Sequence, residues 1–211
     1  LAHLEAILRW PAYGGLKACD NILTVGDDRV YELIDKMLAT MSKNVRSRRI
    51  HIGMDEAGML GRGQYLRRNG YRSNHQIMLE HLTRVVELCR KYGLVLIEDS
   101  TEALGTYYTE GPYRGKMAGT IGDIGVYSFN GNKIITTGAG GMVVSNHADW
   151  LERAKHLSTQ AKADELQFVH DEVGYNYRLT NLQAALGLAQ LEQLEGFIAH
   201  KNEMYDFYKE R

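Results

Sequence analysis

Cysteine is scarce in this chain of 211 residues: Cys19 and Cys89 are the only two, and they lie far apart. They cannot supply a disulfide framework, and their spacing matches no cysteine metal site. Such thiol usage fits a reducing compartment, so a cytoplasmic location is expected. Net charge is lacking too. The formal value of −1 excludes the basic field that nucleic acid or an anionic membrane surface would attract. No apolar run approaches the length needed to span a bilayer, and no secretory leader is visible. Internal repeats and low-complexity tracts are absent. His51, His75 and His81 lack the spacing of a metal-ligand set. Arg62, Arg67, Arg68 and Arg72 have no aromatic platform beside them and read as a solvated loop. What remains is a globular chain long enough for one sizeable domain or two small ones.

Periodicity is what the sequence has. Leu1, Leu4, Ile7 and Leu8 share a helical face that Pro11 and Gly14-Gly15 end. Val30, Leu33, Ile34, Met37, Leu38 and Met41 keep helical spacing, with Asp27 or Asp28 as N-cap. Residues 49–53 (RIHIG) read as a short strand that runs into Asp55 and Glu56, and 58–71 as a Gly/Arg-rich loop. A clear helix is expected over 76–92, with Ile77, Leu82, Val85, Val86 and Cys89 near one stripe and Gly93 beyond its end. Further on, 149–161 reads as a helix and 162–171 as a polar loop. The longest helical candidate is 179–197, striped by Leu179, Leu182, Leu186, Ala189, Gln193 and Phe197, and 204–208 continues helically.

The chain is organised around 95–144. A short apolar run at 95–97 ends in Glu98 and Asp99, as a buried parallel strand does where open α/β sheets place ligands. Residues 123–129 read as a second strand with Lys133 beyond its far end. Strands are expected at 134–136 and 142–144, joined through Thr137-Gly138-Ala139-Gly140-Gly141. The fold class is therefore α/β, a mostly parallel sheet flanked by helices. A lysine among apolar and small residues, preceded by Asn130-Gly131-Asn132, is an odd choice for a plain turn. Partly desolvated, it loses its proton more easily and attacks carbonyls.

Three ordered motifs, EDSTEALGT, GDIGVYSFNGNKIITTGAGGM and GYNYRLTNLQAALGLAQLEQL, resemble the nucleotide-sugar aminotransferases, fold type I enzymes that use pyridoxal phosphate (PLP). The resemblance implies transamination of a nucleotide-linked 4-keto-6-deoxy sugar, with glutamate as amino donor. It makes Lys133 the Schiff-base residue and proton shuttle, and Asp99 the partner of the pyridine nitrogen. Glu102 would lie near the ring hydroxyl, and Ser128 would bind phosphate. Asn176 would reach the phosphate of the other subunit's cofactor in a homodimer. For Asp99, the alternative reading is a helix cap after the strand; for Glu102, a first-turn acid favoured by the helix dipole.

The first part resembles something else. LAHLEAILRWPAYGG, RRIHIGMDEAGMLGRGQYL and HLTRVVELCRKYGL are similar to a barrel fragment of the family 20 β-N-acetylhexosaminidases. That implies Asp55 as the residue orienting the substrate's acetamido group and Glu56 as general acid. Residues 1–94 then form a barrel-derived helix–strand–helix piece and 95–211 a partial PLP large domain, joined within 85–94. Only about two of eight barrel strands would be present, so hydrolysis is the weaker alternative. A spliced chain without a complete active site is the third.

Overall fold

The computed structural model describes residues 4–19, 21–47, 50–54, 57–164 and 166–210. The chain divides into two compact units, Leu1–Val95 and Leu96–Arg211. No described helix is long and apolar enough to cross a membrane.

The first unit begins with a single turn, α1 (Glu5–Leu8), shorter than its apolar spacing suggests because Pro11 and the glycines lie so near. A small antiparallel hairpin follows, β1 (Lys17–Cys19) and β2 (Ile22–Leu23). Then comes α2 (Asp28–Asn44), capped by Asp27, whose carboxylate accepts from the Arg29 backbone N–H at 3.1 Å. The Arg29 guanidinium also holds that carboxyl below its ordinary range. Val30, Tyr31, Leu33 and Leu38 are buried, but Met37 and Met41 are more than 40% exposed, so the buried stripe is narrower than the sequence suggests.

The loop expected at 58–71 contains a short helix, α3 (Gln64–Asn69), which buries Tyr65. It leads to α4 (Asn74–Lys91), opened by a capping box in which Ser73 and Gln76 satisfy each other's backbone N–H. Ile77, His81, Val85, Val86 and Cys89 line its buried face. Ile77, Val85 and Cys89 pack with Ile22, Leu23, Val25, Val30 and Leu33 in one core. Arg84 bonds Asp28 and Lys91 bonds Asp35 across the two long helices.

One expectation fails in this unit and a second finds no support. Residues 50–53 form no strand: Gly53 takes a left-handed φ of 62° and its N–H turns back to His51 Nδ1 at 3.1 Å, which ends extension. Among the described residues, no parallel strand separates α2 from α4, and a barrel-derived helix–strand–helix piece is not shown.

The second unit is built on a three-stranded sheet of order β3 (Ile97–Asp99), β4 (Ile124–Ser128), β5 (Gly141–Ser145). The β3–β4 pair is parallel and the β4–β5 pair antiparallel, so the sheet is mixed rather than mostly parallel. No helix intervenes between β4 and β5. The chain doubles back through turns, with left-handed Gly138 and Gly140, and must return antiparallel. The strand expected at 134–136 is part of that return; Ile135 is buried there, and the neighbouring Thr136 bonds to a helix instead.

Next come α5 (Ala148–Ser158), then a hairpin of β6 (Lys162–Asp164) and β7 (Val169–His170) where a polar loop was expected. Left-handed Gln160 and Ala161 stop α5 three residues early. The long helix expected over 179–197 is two: α6 (Asn181–Leu191), with a capping box from Thr180 and Gln183, and α7 (Leu194–Lys209). Leu194, Phe197 and Ile198 pack with Tyr127, Phe129 and Ile135. Leu182 and Leu186 of the expected stripe stay exposed.

Candidate active site

The parallel register pairs Asp99 with Val126, so the carboxyl ends of β3 and β4 lie side by side. The loop beneath them is held by Glu98. Its carboxylate accepts from Gly119 N–H at 2.9 Å, from Ile121 N–H at 2.6 Å and from Gly122 N–H. Asp123 accepts from Leu96 N–H at 2.8 Å. Gly119 has φ 89°, and a Cβ there would meet the Tyr127 hydroxyl at 2.5 Å, so loop and strand need glycine. The Tyr127 hydroxyl donates to the Ala118 carbonyl at 2.6 Å, and burial pushes it above the ordinary tyrosine range. Of the acidic pair at this strand end, Glu98 is thus structural, a role the sequence does not disclose.

Asp99 is exposed, and its Oδ1 accepts from Thr101 N–H at 3.2 Å. That bond starts the turn that Ala103 N–H closes onto Ser100. The turn delivers Thr101 and Glu102 to the mouth of a cavity of about 200 Å³. From the other side come Ser128, at the end of β4, and Lys133, placed by a turn in which Lys133 N–H bonds Asn130 carbonyl at 3.1 Å. Leu104 and Ile134 supply apolar wall. Lys133 Nζ lies 2.7 Å from Glu102 Oε1; the lysine side chain is 15% exposed and the glutamate 78%. Ser128 Oγ accepts from Asn130 N–H at 3.2 Å, which leaves its own proton to donate.

Lys133, Glu102 and Ser128 therefore share one cavity. Asp99 sits on the adjoining strand end but is not among the cavity's lining residues, and its observed bond is the capping one. Asn176 is exposed and bridges Thr159, away from that lining; its neighbours Tyr175 and Tyr177 stack at 5.2 Å. Asp55 and Glu56 lie outside the described residues.

One contributor escapes sequence reading altogether. Gln190 on α6 donates through Nε2 to Thr136 carbonyl at 2.8 Å and accepts from Thr136 N–H at 2.9 Å. It mimics a backbone neighbour and fixes the segment that follows Lys133. Nothing in helical spacing marks a glutamine for that task.

Comparison with known proteins fits this geometry. A GDP-perosamine synthase of Escherichia coli O157:H7 is 49% identical over 128 residues, covering 61% of this chain and 34% of that protein. A UDP-4-amino-4,6-dideoxy-N-acetyl-beta-L-altrosamine transaminase of Campylobacter jejuni is 35% identical over 129 residues, covering 60% and 33%. Among solved structures, the aminotransferase TlmJ from Streptoalloteichus hindustanus aligns at 30% identity with a TM-score of 0.51, covering 62% of this chain and 34% of its own. This chain thus spans about a third of the length of these relatives. The hydrolase resemblance finds no support. Part of the segment that carried it, HLTRVVELCRKYGL, falls inside the aminotransferase match, which starts at residue 78 and not at the strand after α4. Residues 78–211, well over half of the chain, match the model of the DegT/DnrJ/EryC1/StrS aminotransferase family, and the chain belongs to that family.

Proposed function

We propose that this chain is the lysine-bearing segment of a PLP-dependent aminotransferase that passes an amino group, from glutamate, to a nucleotide-linked 4-keto-6-deoxy sugar. The observation that carries the reading is Lys133, largely covered and lining a cavity with Ser128 and Glu102 at the ends of paired parallel strands. Proteins of this family are PLP-dependent, and the groups present fit that cofactor. Lys133 offers the amine for its aldehyde, Ser128 a hydroxyl for its phosphate, and Asp99 a carboxylate for its ring nitrogen. When bound, the cofactor supplies an electron-withdrawing ring that stabilises negative charge on the substrate carbon. Lys133 holds the cofactor and, once free, moves the proton at the reacting carbon. Leu104 and Ile134 keep water from one side of the cavity.

Only part of the site belongs to the described cavity. Asn176, exposed beside two stacked tyrosines, suits a contact made to the cofactor of a second copy, so the functional unit is a homodimer. We assign the residues of the aminotransferase chemistry to 95–211, with the family match reaching back to residue 78 in α4. The scarcity of thiols accords with the cytoplasm.

The test is spectroscopic. Mixed with PLP, the chain develops a new visible absorbance band, and Lys133→Ala abolishes it. A band unchanged by that substitution defeats the assignment.

A further inference from the structure

Lys133 and Glu102 are unequal partners. The lysine is 15% exposed and fixed by the turn from Asn130; the glutamate is 78% exposed and stands at the cavity mouth on the turn after β3. Among the described residues lining the cavity, Glu102 alone carries negative charge. A covered ammonium with one counterion depends on it, whereas an exposed carboxylate can swing into water at little cost. The pair also ties 99–104 to 128–133, the two segments that frame the cavity.

We propose that Glu102 is a latch on Lys133, a positioning residue that holds the amine as a paired ammonium until an aromatic aldehyde enters. This rests on Lys133 being the cofactor-bearing residue and goes beyond it by giving Glu102 a task in the free chain. An ammonium has no lone pair to attack with. For reaction, Glu102 releases it, the proton passes to solvent, the nitrogen lone pair forms the C–N bond, and the aldehyde oxygen leaves as one water. The latch therefore slows cofactor capture. Its removal leaves the lysine with no carboxylate holding it away from an entering aldehyde.

The test follows the rate at which the visible band forms on mixing with pyridoxal, and separately with PLP, near neutral pH. Borohydride reduction and peptide mass mapping locate the adduct. With Glu102→Gln the rate at Lys133 rises about two- to fivefold, the range of a partly exposed ion pair. Glu102→Asp, which keeps the charge, falls back toward the parent rate. Added salt speeds the parent chain and leaves Glu102→Gln nearly unchanged. Far-ultraviolet circular dichroism of each variant matches the parent, so a merely structural role would move none of these rates. Equal or slower capture by Glu102→Gln, with the adduct still on Lys133, overturns the latch and leaves the cofactor assignment standing. No adduct on Lys133 in any chain overturns both.

Discussion

The two units treat their apolar side chains in opposite ways. In the first, Val30 and Ile77 are wholly buried, and α2 and α4 close over a hairpin with charged pairs along their outer edge. In the second, Leu182 is 85% exposed and Leu188 60%, and Ile97, Met142 and Val143 leave parts of the central sheet open. Sheets with parallel pairs are normally covered on both faces. The contrast follows from scale. The first unit completes a small core within its own residues, whereas the second lies inside a family match that covers only about a third of the length of its relatives.

The sharpest break in that comparison is a core deletion. Ile77→Ala in the first unit destabilises it by about 2–5 kcal/mol, read from chemical denaturation followed by fluorescence. A change under about 1 kcal/mol would mean that the core around α4 is not close-packed.

Acid is the next lever. His81 is fully buried on α4, with Nδ1 3.2 Å from the Tyr31 hydroxyl and the Arg84 guanidinium stacked over the same tyrosine. Burial, with Arg84 adding to it, lowers its pKa from 6.5 to about 3. The unfolded chain then binds a proton that the folded one refuses, so stability is lost as pH falls below 6.5 and the loss levels off near 3. The contribution of this one group is at most about 1.4 kcal/mol per pH unit. His81→Gln flattens that slope in the first unit; an unaltered slope assigns the acid sensitivity to other groups.

The smallest effect belongs to the open surface. Leu182→Ser changes stability by less than about 0.5 kcal/mol, because the side chain is already in water. A loss above about 1 kcal/mol in the isolated chain would show that α6 is covered in solution.

The same contrast decides what could be read from the sequence. Where burial is complete, periodicity announces it: α2 and its cap follow from Asp27 and the apolar spacing, and α4 from its apolar spacing, though that spacing does not mark its Ser73 cap. The strand-end positions of Asp99 and Lys133 are partly legible: Asp99 is the last residue of β3, and Lys133 lies one turn beyond β4. Single residues with special backbone angles are harder to weigh. Gly53 undoes the strand expected at 49–53, and Gly138 and Gly140 turn an expected parallel sheet into a mixed one. On α6 the apolar stripe is real, yet Leu182 and Leu186 stay exposed. Side chains that serve backbone groups leave no pattern: Glu98 holds three N–H groups and Gln190 pairs with both backbone groups of Thr136, and neither has a spacing to betray it.

The central claim is that Lys133, in its cavity with Ser128 and Glu102, is the amine that takes the cofactor. Borohydride reduction of the chain mixed with stoichiometric PLP, followed by peptide mass mapping, tests this most directly. The account predicts that the reduced adduct concentrates on the peptide bearing Lys133. An adduct spread evenly over the exposed lysines, with none favoured, would contradict it.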